Sequence, residues 1–231
     1  GATTVDELDD IVDVDARARY HAMLDSQIAV GIAPLVTVNH YTLPLWVHDG
    51  VACHDDPEAC EASGWLDGDR MIPLITLYAG WLAREYGSKV DQWATLNEPF
   101  ATTLSGYVQP GEERSAPPGL VFYGEGAVAS ASHQIEASAS MYDALHEWDT
   151  TDADGDGEAA SVGIVINMVA ITAKTDSEAD LEAVEHMDYV YHRFFLDGLT
   201  DGSWDEDLDG TPDRTREELA NRLDWIGVNY Y

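Results

Sequence analysis

The sequence predicts an α/β fold, a parallel sheet of the (β/α)8 or TIM-barrel type, forming one domain over residues 1–231. Three observations predict it. Short, nearly continuous apolar strands alternate with longer amphipathic segments, as in a parallel sheet covered by helices. The strands end in hydrogen-bonding groups: Asn39 and His40, Asn97 and Glu98, Asn167, then Asn229 and Tyr231. Such groups at the C-terminal ends of successive strands are the mark of a barrel. No glycine-rich phosphate loop follows any strand, which argues against a nucleotide-binding sheet.

The first helix carries Ala16, Tyr20, Met23, Leu24 and Ile28 on one face, and Gly31 is placed to end it. A strand follows from Pro34 to Asn39. Met71 to Gly87 is helical, with Ile75, Tyr78, Ala79, Leu82 and Tyr86 on one stripe. The strand Val90 to Leu96 comes next, apolar around Trp93, and it must stop by Pro99, which has no N–H for a ladder. A helix from about Gly126 to Trp148 turns Val128, Ala131, Ile135, Ala139, Tyr142 and Leu145 inward. After the strand Val162 to Asn167, Ser177 caps a helix running to about Leu199, with Leu181, Val184, Met187, Tyr191 and Phe194 inward. Arg222 to Tyr231 supplies a turn and a last strand, Trp225 to Val228.

Forty-four acidic residues face eleven basic ones, for a net charge of −33. Nucleic acid is excluded as a partner, because its phosphates would be repelled, and anionic membrane surfaces are disfavoured. With 45% hydrophobic and 10% aromatic residues, the chain has enough apolar surface to fold. The expectation is an acidic, lysine-poor surface like that of proteins from salt-adapted organisms, with unfolding in dilute buffer. No apolar run approaches the roughly 18 residues of a membrane span, and the first ten residues do not read as a signal peptide. A cytoplasmic location is expected, with secretion left open because the native N-terminus is expected to be missing.

Thr95-Leu96-Asn97-Glu98-Pro99 sets an amide beside a carboxyl at a strand's end. Near Trp93 or Phe100 the carboxyl would be partly desolvated, which raises its pKa and suits a general acid. Asn97 can donate to and accept from a hydroxyl. Taken alone, Asn-Glu-Pro also reads as a turn with a solvated glutamate; the other strand ends favour a shared pocket. An aldolase or isomerase lacks support, since Lys89 and Lys174 fall outside the strand tips.

With these residues assembled, the chain resembles the family 1 glycoside hydrolases, and among them the archaeal β-glycosidases. The resemblance rests on LVTVNHYTLPLWVHD, EYGSKVDQWATLNEPF and LDWIGVNYY, in order along nearly the whole chain. It implies a retaining β-glycosidase of the β-glucosidase or β-galactosidase type, with Glu98 as general acid/base and a β-glycoside or oligosaccharide as substrate. His40 would hold sugar hydroxyls, Asn97 the 2-hydroxyl, and Asn229 would lie near Glu98. Tyr231 would donate to the nucleophilic carboxylate. Tyr41 stands where many members have tryptophan, and Trp46 falls in the loop bordering the pocket; ordinary loop packing is the alternative for both. No cofactor is implied. The oligomeric state is left open, a homo-oligomer included.

The family's nucleophile lies on the seventh strand, and the sixth is the last one read here. The resemblance therefore implies an internal piece, second helix to sixth strand, with about four of eight strands, from a protein about twice as long. A polypeptide of these residues alone is expected to be inactive. The alternative is a non-catalytic sugar-binding remnant that kept the glycone contacts and lost the nucleophile.

Cys53 and Cys60 are expected as free thiols, ahead of a local disulfide and of zinc binding with His48 and His54, since the spacing fits no common zinc pattern. Two loops are weak calcium candidates: Asp205, Asp207, Asp209, Gly210 and Asp213, and the shorter Asp152, Asp154, Asp156 and Gly157. Alternate aspartates around a glycine can direct oxygens at one hard cation, but neither loop has the final glutamate of an EF-hand, and a solvated surface loop is the expected reading.

Overall fold

A computed structural model describes residues 2–112 and 115–231. A short helix α1 (Val5–Leu8) precedes α2 (Val14–Ile28), β1 (Leu35–Asn39), α3 (Gly50–Asp55), α4 (Gly68–Tyr86) and β2 (Gln92–Asn97). Then come α5 (Pro99–Thr103), α6 (Gly124–Trp148), β3 (Ser161–Met168), α7 (Glu178–Asp188) and α8 (Phe194–Thr200). The chain ends with a small hairpin, β4 (Ser203–Trp204) and β5 (Arg214–Thr215), and with β6 (Trp225–Tyr230).

Strands β1, β2, β3 and β6 form one sheet in that spatial order, each pair parallel. An order that follows the chain without reversal is the arc of a barrel; a doubly wound sheet reverses at a switch point. Four of the eight strands of such a barrel are present. β2 lies inside, and Trp93, Ala94, Thr95 and Leu96 are all buried. Helices α4 and α6 pack on each other, joining Ile75, Ala79, Leu82, Ile135, Ala139 and Leu145 to the core that covers this strand. Each large apolar side chain so buried contributes about 1.5–3 kcal/mol. Gly163 of β3 is fixed by close approach, since a Cβ there would lie 2.3 Å from the Trp225 carbonyl oxygen of β6.

Local chemistry sets the helix ends. The Asp13 carboxylate accepts from the N–H groups of Asp15 and Ala16, both at 2.9 Å, to start α2, and Gly31 (φ 80°) turns the chain beyond it. Ser177 Oγ accepts from Asp180 N at 3.2 Å, the cap expected for α7. The helix expected to run unbroken to Leu199 is interrupted by a π turn over Tyr189–Arg193. Its extra residue rotates Tyr191 toward the sheet, where the hydroxyl accepts from Asn167 Nδ2 at 2.7 Å.

Two expected apolar faces are corrected, and a third at a single residue. Of the α2 face only Leu24 is buried; Tyr20, Met23 and Ile28 are exposed. The helix is held to α4 by polar contacts, Arg17 and His21 on Glu85, and to the turn before β2 by Lys89 on Asp25, while of its apolar stripe Leu24 joins the core and Tyr20 packs edge-on against Tyr86 at 6.5 Å. Leu181 and Met187 of α7 and Tyr78 of α4 are likewise exposed. β1 and β6 are the sheet's edges, which leaves Leu35, Ile226, Val228 and Tyr230 uncovered.

Cys53 and Cys60 form a disulfide, correcting the expectation of free thiols. The turn after α3 folds back because Asp56 Oδ1 accepts from the N–H groups of Glu58 and Ala59, and this brings the two Cα atoms to 4.9 Å. Sequence spacing alone does not reveal that reversal. Among the described residues no helix is long and apolar enough to cross a membrane.

Candidate active site

The polar ends of the parallel strands converge on Glu98. β2 carries one residue more than β3 across the pairing of Ala94 with Gly163 and of Asn97 with Val165, an irregularity of the kind that re-aims side chains. Glu98 follows with left-handed backbone (φ 46°, ψ 59°), its N–H donating to the Val165 carbonyl at 2.7 Å. Pro99 opens α5, where its missing N–H costs nothing. The result is a carboxyl only 5% exposed, set where the strand ends rather than in a solvated turn.

Three donors hold that carboxylate. Tyr41 Oη donates to Oε2 at 2.5 Å, and Asn229 Nδ2 and Tyr231 Oη each donate to Oε1 at 2.7 Å. Asn229 Nδ2 also reaches Asn97 Oδ1 at 3.2 Å. That contact fixes the Asn97 amide, so its Nδ2, 3.3 Å from His40 Nε2, is the donor there, and the imidazole proton is assigned to Nδ1. Tyr41 is also left-handed (φ 68°), and its ring packs edge-on against His40 at 5.0 Å.

Burial pushes the Glu98 carboxyl up, but hydrogen bonds from Tyr41, Asn229 and Tyr231, with His40 nearby, outweigh it and hold the group below the ordinary glutamate range. The expected upward shift is therefore corrected. The sequence showed the apolar neighbours and not the number of donors, each of which favours the charged form. Tyr41 is affected the opposite way: burial, then its bond to the charged Glu98, pushes its hydroxyl well above the usual range.

A cavity of about 1020 Å³ opens beside Glu98 and Tyr231. Leu43, Leu45, Val51, Ala101 and Pro117 give it an apolar wall. His48 and His54, weighed in the sequence only as metal ligands, line it too, and His54 Nδ1 lies 2.8 Å from the Pro118 carbonyl. Burial pushes the His48 imidazole down, against the nearby Asp49. The disulfide pins the α3 segment that carries Val51 and His54. These wall residues gave no shared sequence signal, because they come from loops and from helices too short to show a period.

Of the residues expected at the site, His40, Tyr41, Asn97, Glu98, Asn229 and Tyr231 come together. Tyr231 serves Glu98 here. Trp46 does not join them: its exposed side chain lies in a second hollow with Arg70 and Leu77, and its carbonyl accepts from Arg70 Nη2 at 2.8 Å. Asn167 turns to Tyr191, with its Oδ1 buried and unpartnered among the described residues. Phe100 packs on Tyr191 at 5.0 Å and links that pair to α5.

Residues 17–231 match the family described as Glycosyl hydrolase family 1. The chain is 32% identical to a β-galactosidase of Pyrococcus woesei, across 99% of this chain and 44% of that protein. It is 29% identical to a β-galactosidase of Saccharolobus solfataricus, across 97% and 42%. The solved structure of the β-glycosidase from Thermosphaera aggregans superposes with a TM-score of 0.79 at 26% identity, covering 98% of this chain and 43% of that one. The chain thus spans less than half the length of these relatives.

Proposed function

The chain belongs to glycosyl hydrolase family 1, and from that premise we propose that it supplies the acid/base half of a retaining β-glycosidase acting on terminal β-linked glucosides or galactosides. The observation that carries this reading is a buried Glu98 at a strand's lip, beside a cavity, with Asn97 of the same strand and Asn229 and Tyr231 from the end of β6, two strands along the arc, around it. His40 and Asn97 bind sugar hydroxyls, with Tyr41 closing the pocket.

In the retaining reaction Glu98 protonates the departing glycosidic oxygen while a second carboxylate, about 5 Å away, attacks the anomeric carbon. The resulting glycosyl-enzyme is hydrolysed by a water whose proton returns to Glu98. Among the described residues Glu98 is hydrogen-bonded by Tyr41, Asn229 and Tyr231, none of them a carboxylate, and the second carboxylate is proposed to come from the family's seventh strand. Its negative charge would raise the Glu98 pKa. Tyr231, on turning to that second carboxylate, would remove a donor from Glu98 and act in the same direction. Once the ester forms, the repelling charge is gone, the Glu98 pKa falls, and the ionised carboxylate is ready to accept the water's proton.

The test compares the full-length protein with the 231-residue chain on nitrophenyl β-glucoside and β-galactoside. The full-length protein is expected to hydrolyse them with the β-anomer as first product by NMR, and the short chain to be inactive. An α-anomer as first product would contradict the retaining reading. Turnover by the short chain that is lost in Glu98→Gln would contradict the assignment of the nucleophile.

The depressed Glu98 pKa supports a second reading for these residues on their own, a sugar-binding site whose ionised carboxylate accepts from hydroxyls. Calorimetric sugar binding by a full-length protein without turnover would favour it.

A further inference from the structure

We propose that the Cys53–Cys60 disulfide clamps the leaving-group wall of the cavity beside Glu98, so that opening it weakens the hold on large apolar leaving groups while the sugar subsite stays formed. The proposal rests on the glycosidase reading above, which says what part of the substrate lies on each side of Glu98. Among the described residues the cavity is lined by Glu98 but by neither His40 nor Asn97, the pair assigned to sugar hydroxyls. It therefore opens on the far side of the proton donor, where the departing group sits. Its surface is mainly apolar, with Leu43, Leu45 and Val51 on the wall, and this suits an aryl or alkyl alcohol.

The part of this wall free to move is α3. Six residues are too few for a helix to be stable by itself, and the one residue that α3 buries is Cys53. Cys53 lies outside the main hydrophobic core, and Val51 is 75% exposed. Besides the disulfide, three lighter contacts hold the segment. Asp49 Oδ1 accepts from Ala52 N at 3.1 Å, His54 Nδ1 donates to the Pro118 carbonyl at 2.8 Å, and Gly50 rests against Pro117. The base of the excursion is closed independently, by Gly64 N donating to the Val47 carbonyl at 3.0 Å and Asp49 N to the Ala62 carbonyl at 2.8 Å. Opening the disulfide thus frees α3 and leaves the strand end that carries His40 and Tyr41 in place.

A dithiol supplies the chemistry. Cys60 is half-buried, whereas Cys53 is fully buried, so a reductant's thiolate reaches the Cys60 sulfur first. Its attack breaks the Sγ–Sγ bond and expels the Cys53 thiolate, which takes up a proton. The reductant's second thiol then displaces Cys60, leaving two protein thiols and one reductant disulfide.

The experiment measures calorimetric binding of hexyl and methyl β-thioglucosides and β-thiogalactosides, which resist hydrolysis, to the full-length protein. Oxidised parent, dithiothreitol-reduced parent and a Cys53→Ser/Cys60→Ser variant are compared, with thiol alkylation and mass confirming the state of the cysteines. Hexyl affinity is expected to fall about fourfold or more when the disulfide is open, which is what the contact of one methylene is worth, with methyl affinity little changed. Reoxidation should restore the parent, and dithiothreitol should do nothing further to the variant. Should the variant fail to fold, the reduced parent decides; should the parent resist reduction, the variant does. Equal hexyl affinity with the disulfide open and closed, or an equal fall for hexyl and methyl, would overturn the proposal. Turnover of nitrophenyl β-glycosides is followed in parallel. Its absence, with the hexyl–methyl difference intact, would count against the glycosidase reading and for the clamp.

Discussion

At Glu98 the backbone adopts left-handed angles that cost a non-glycine residue about 1 kcal/mol or more, and the strain turns its carboxyl toward Asn229 and Tyr231. Three hydrogen bonds then settle its charge. Tyr41→Phe removes the shortest of them, the one to Oε2. Because that bond favours the carboxylate, its loss should move the Glu98 titration upward, followed by carboxyl ¹³C NMR with isotope-labelled glutamate. A downward shift would mean that the tyrosine does not stabilise the charged form. Asn97, Glu98, Asn229 and Tyr231 were legible in the sequence as polar residues where apolar strands end. Tyr41's contact was not, since it depends on a positive φ in a loop.

Among the elements, β2 joins core to site, and Asp149 at the end of α6 ties it to α4. Trp93 Nε1 of β2 donates to Asp149 Oδ2 at 2.9 Å, and Gly87 leaves the room the carboxyl needs: a Cβ there would lie 2.1 Å from Oδ1. Burial pushes Asp149 up to about 6, against the lowering effect of the Trp93 bond. The folded state therefore binds the extra proton between about pH 4 and pH 6, since an unfolded aspartate titrates near about 3.9. This group's contribution to stability is most favourable below that window and is lost as pH rises through it. Asp149→Asn keeps an oxygen for Trp93 and has no proton to lose. Denaturant unfolding should show the wild-type decline across this window flattened, with the variant more stable at pH 7 by on the order of 2–3 kcal/mol. An unchanged pH slope would contradict the assignment. The strands and long helices were legible because their apolar periods survive in the fold. The exposed stripes on α2 and α7 were not, since a period tells which residues share a face and not whether a neighbour covers it. The π turn was hidden for a related reason: inserting one residue leaves the helical pattern on either side intact.

For the whole molecule, the balance of 44 acidic against 11 basic residues leaves most carboxylates without a cationic partner, and the ion pairs that do form lie mainly at the surface. Such repulsion is screened as the Debye length falls from about 10 Å at 0.1 M salt to about 3 Å at 1 M. We predict a melting temperature that climbs steeply over that range in potassium chloride; identical melts would remove salt adaptation from the account. The parallel arc, the family and the cluster around Glu98 support one proposal, that Glu98 is the proton donor of a retaining glycosidase. It is tested most directly by Glu98→Ala in the full-length protein, assayed on β-glycosides with good and poor leaving groups, with and without azide. A proton donor matters most where the leaving group needs the proton, and general acid catalysis contributes about 10²–10⁴-fold. We predict a loss of that size for alkyl glycosides, rapid formation of the glycosyl-enzyme from dinitrophenyl glycosides, and a β-glycosyl azide when azide is present. Equal losses for both leaving-group classes, with no azide product, would contradict it.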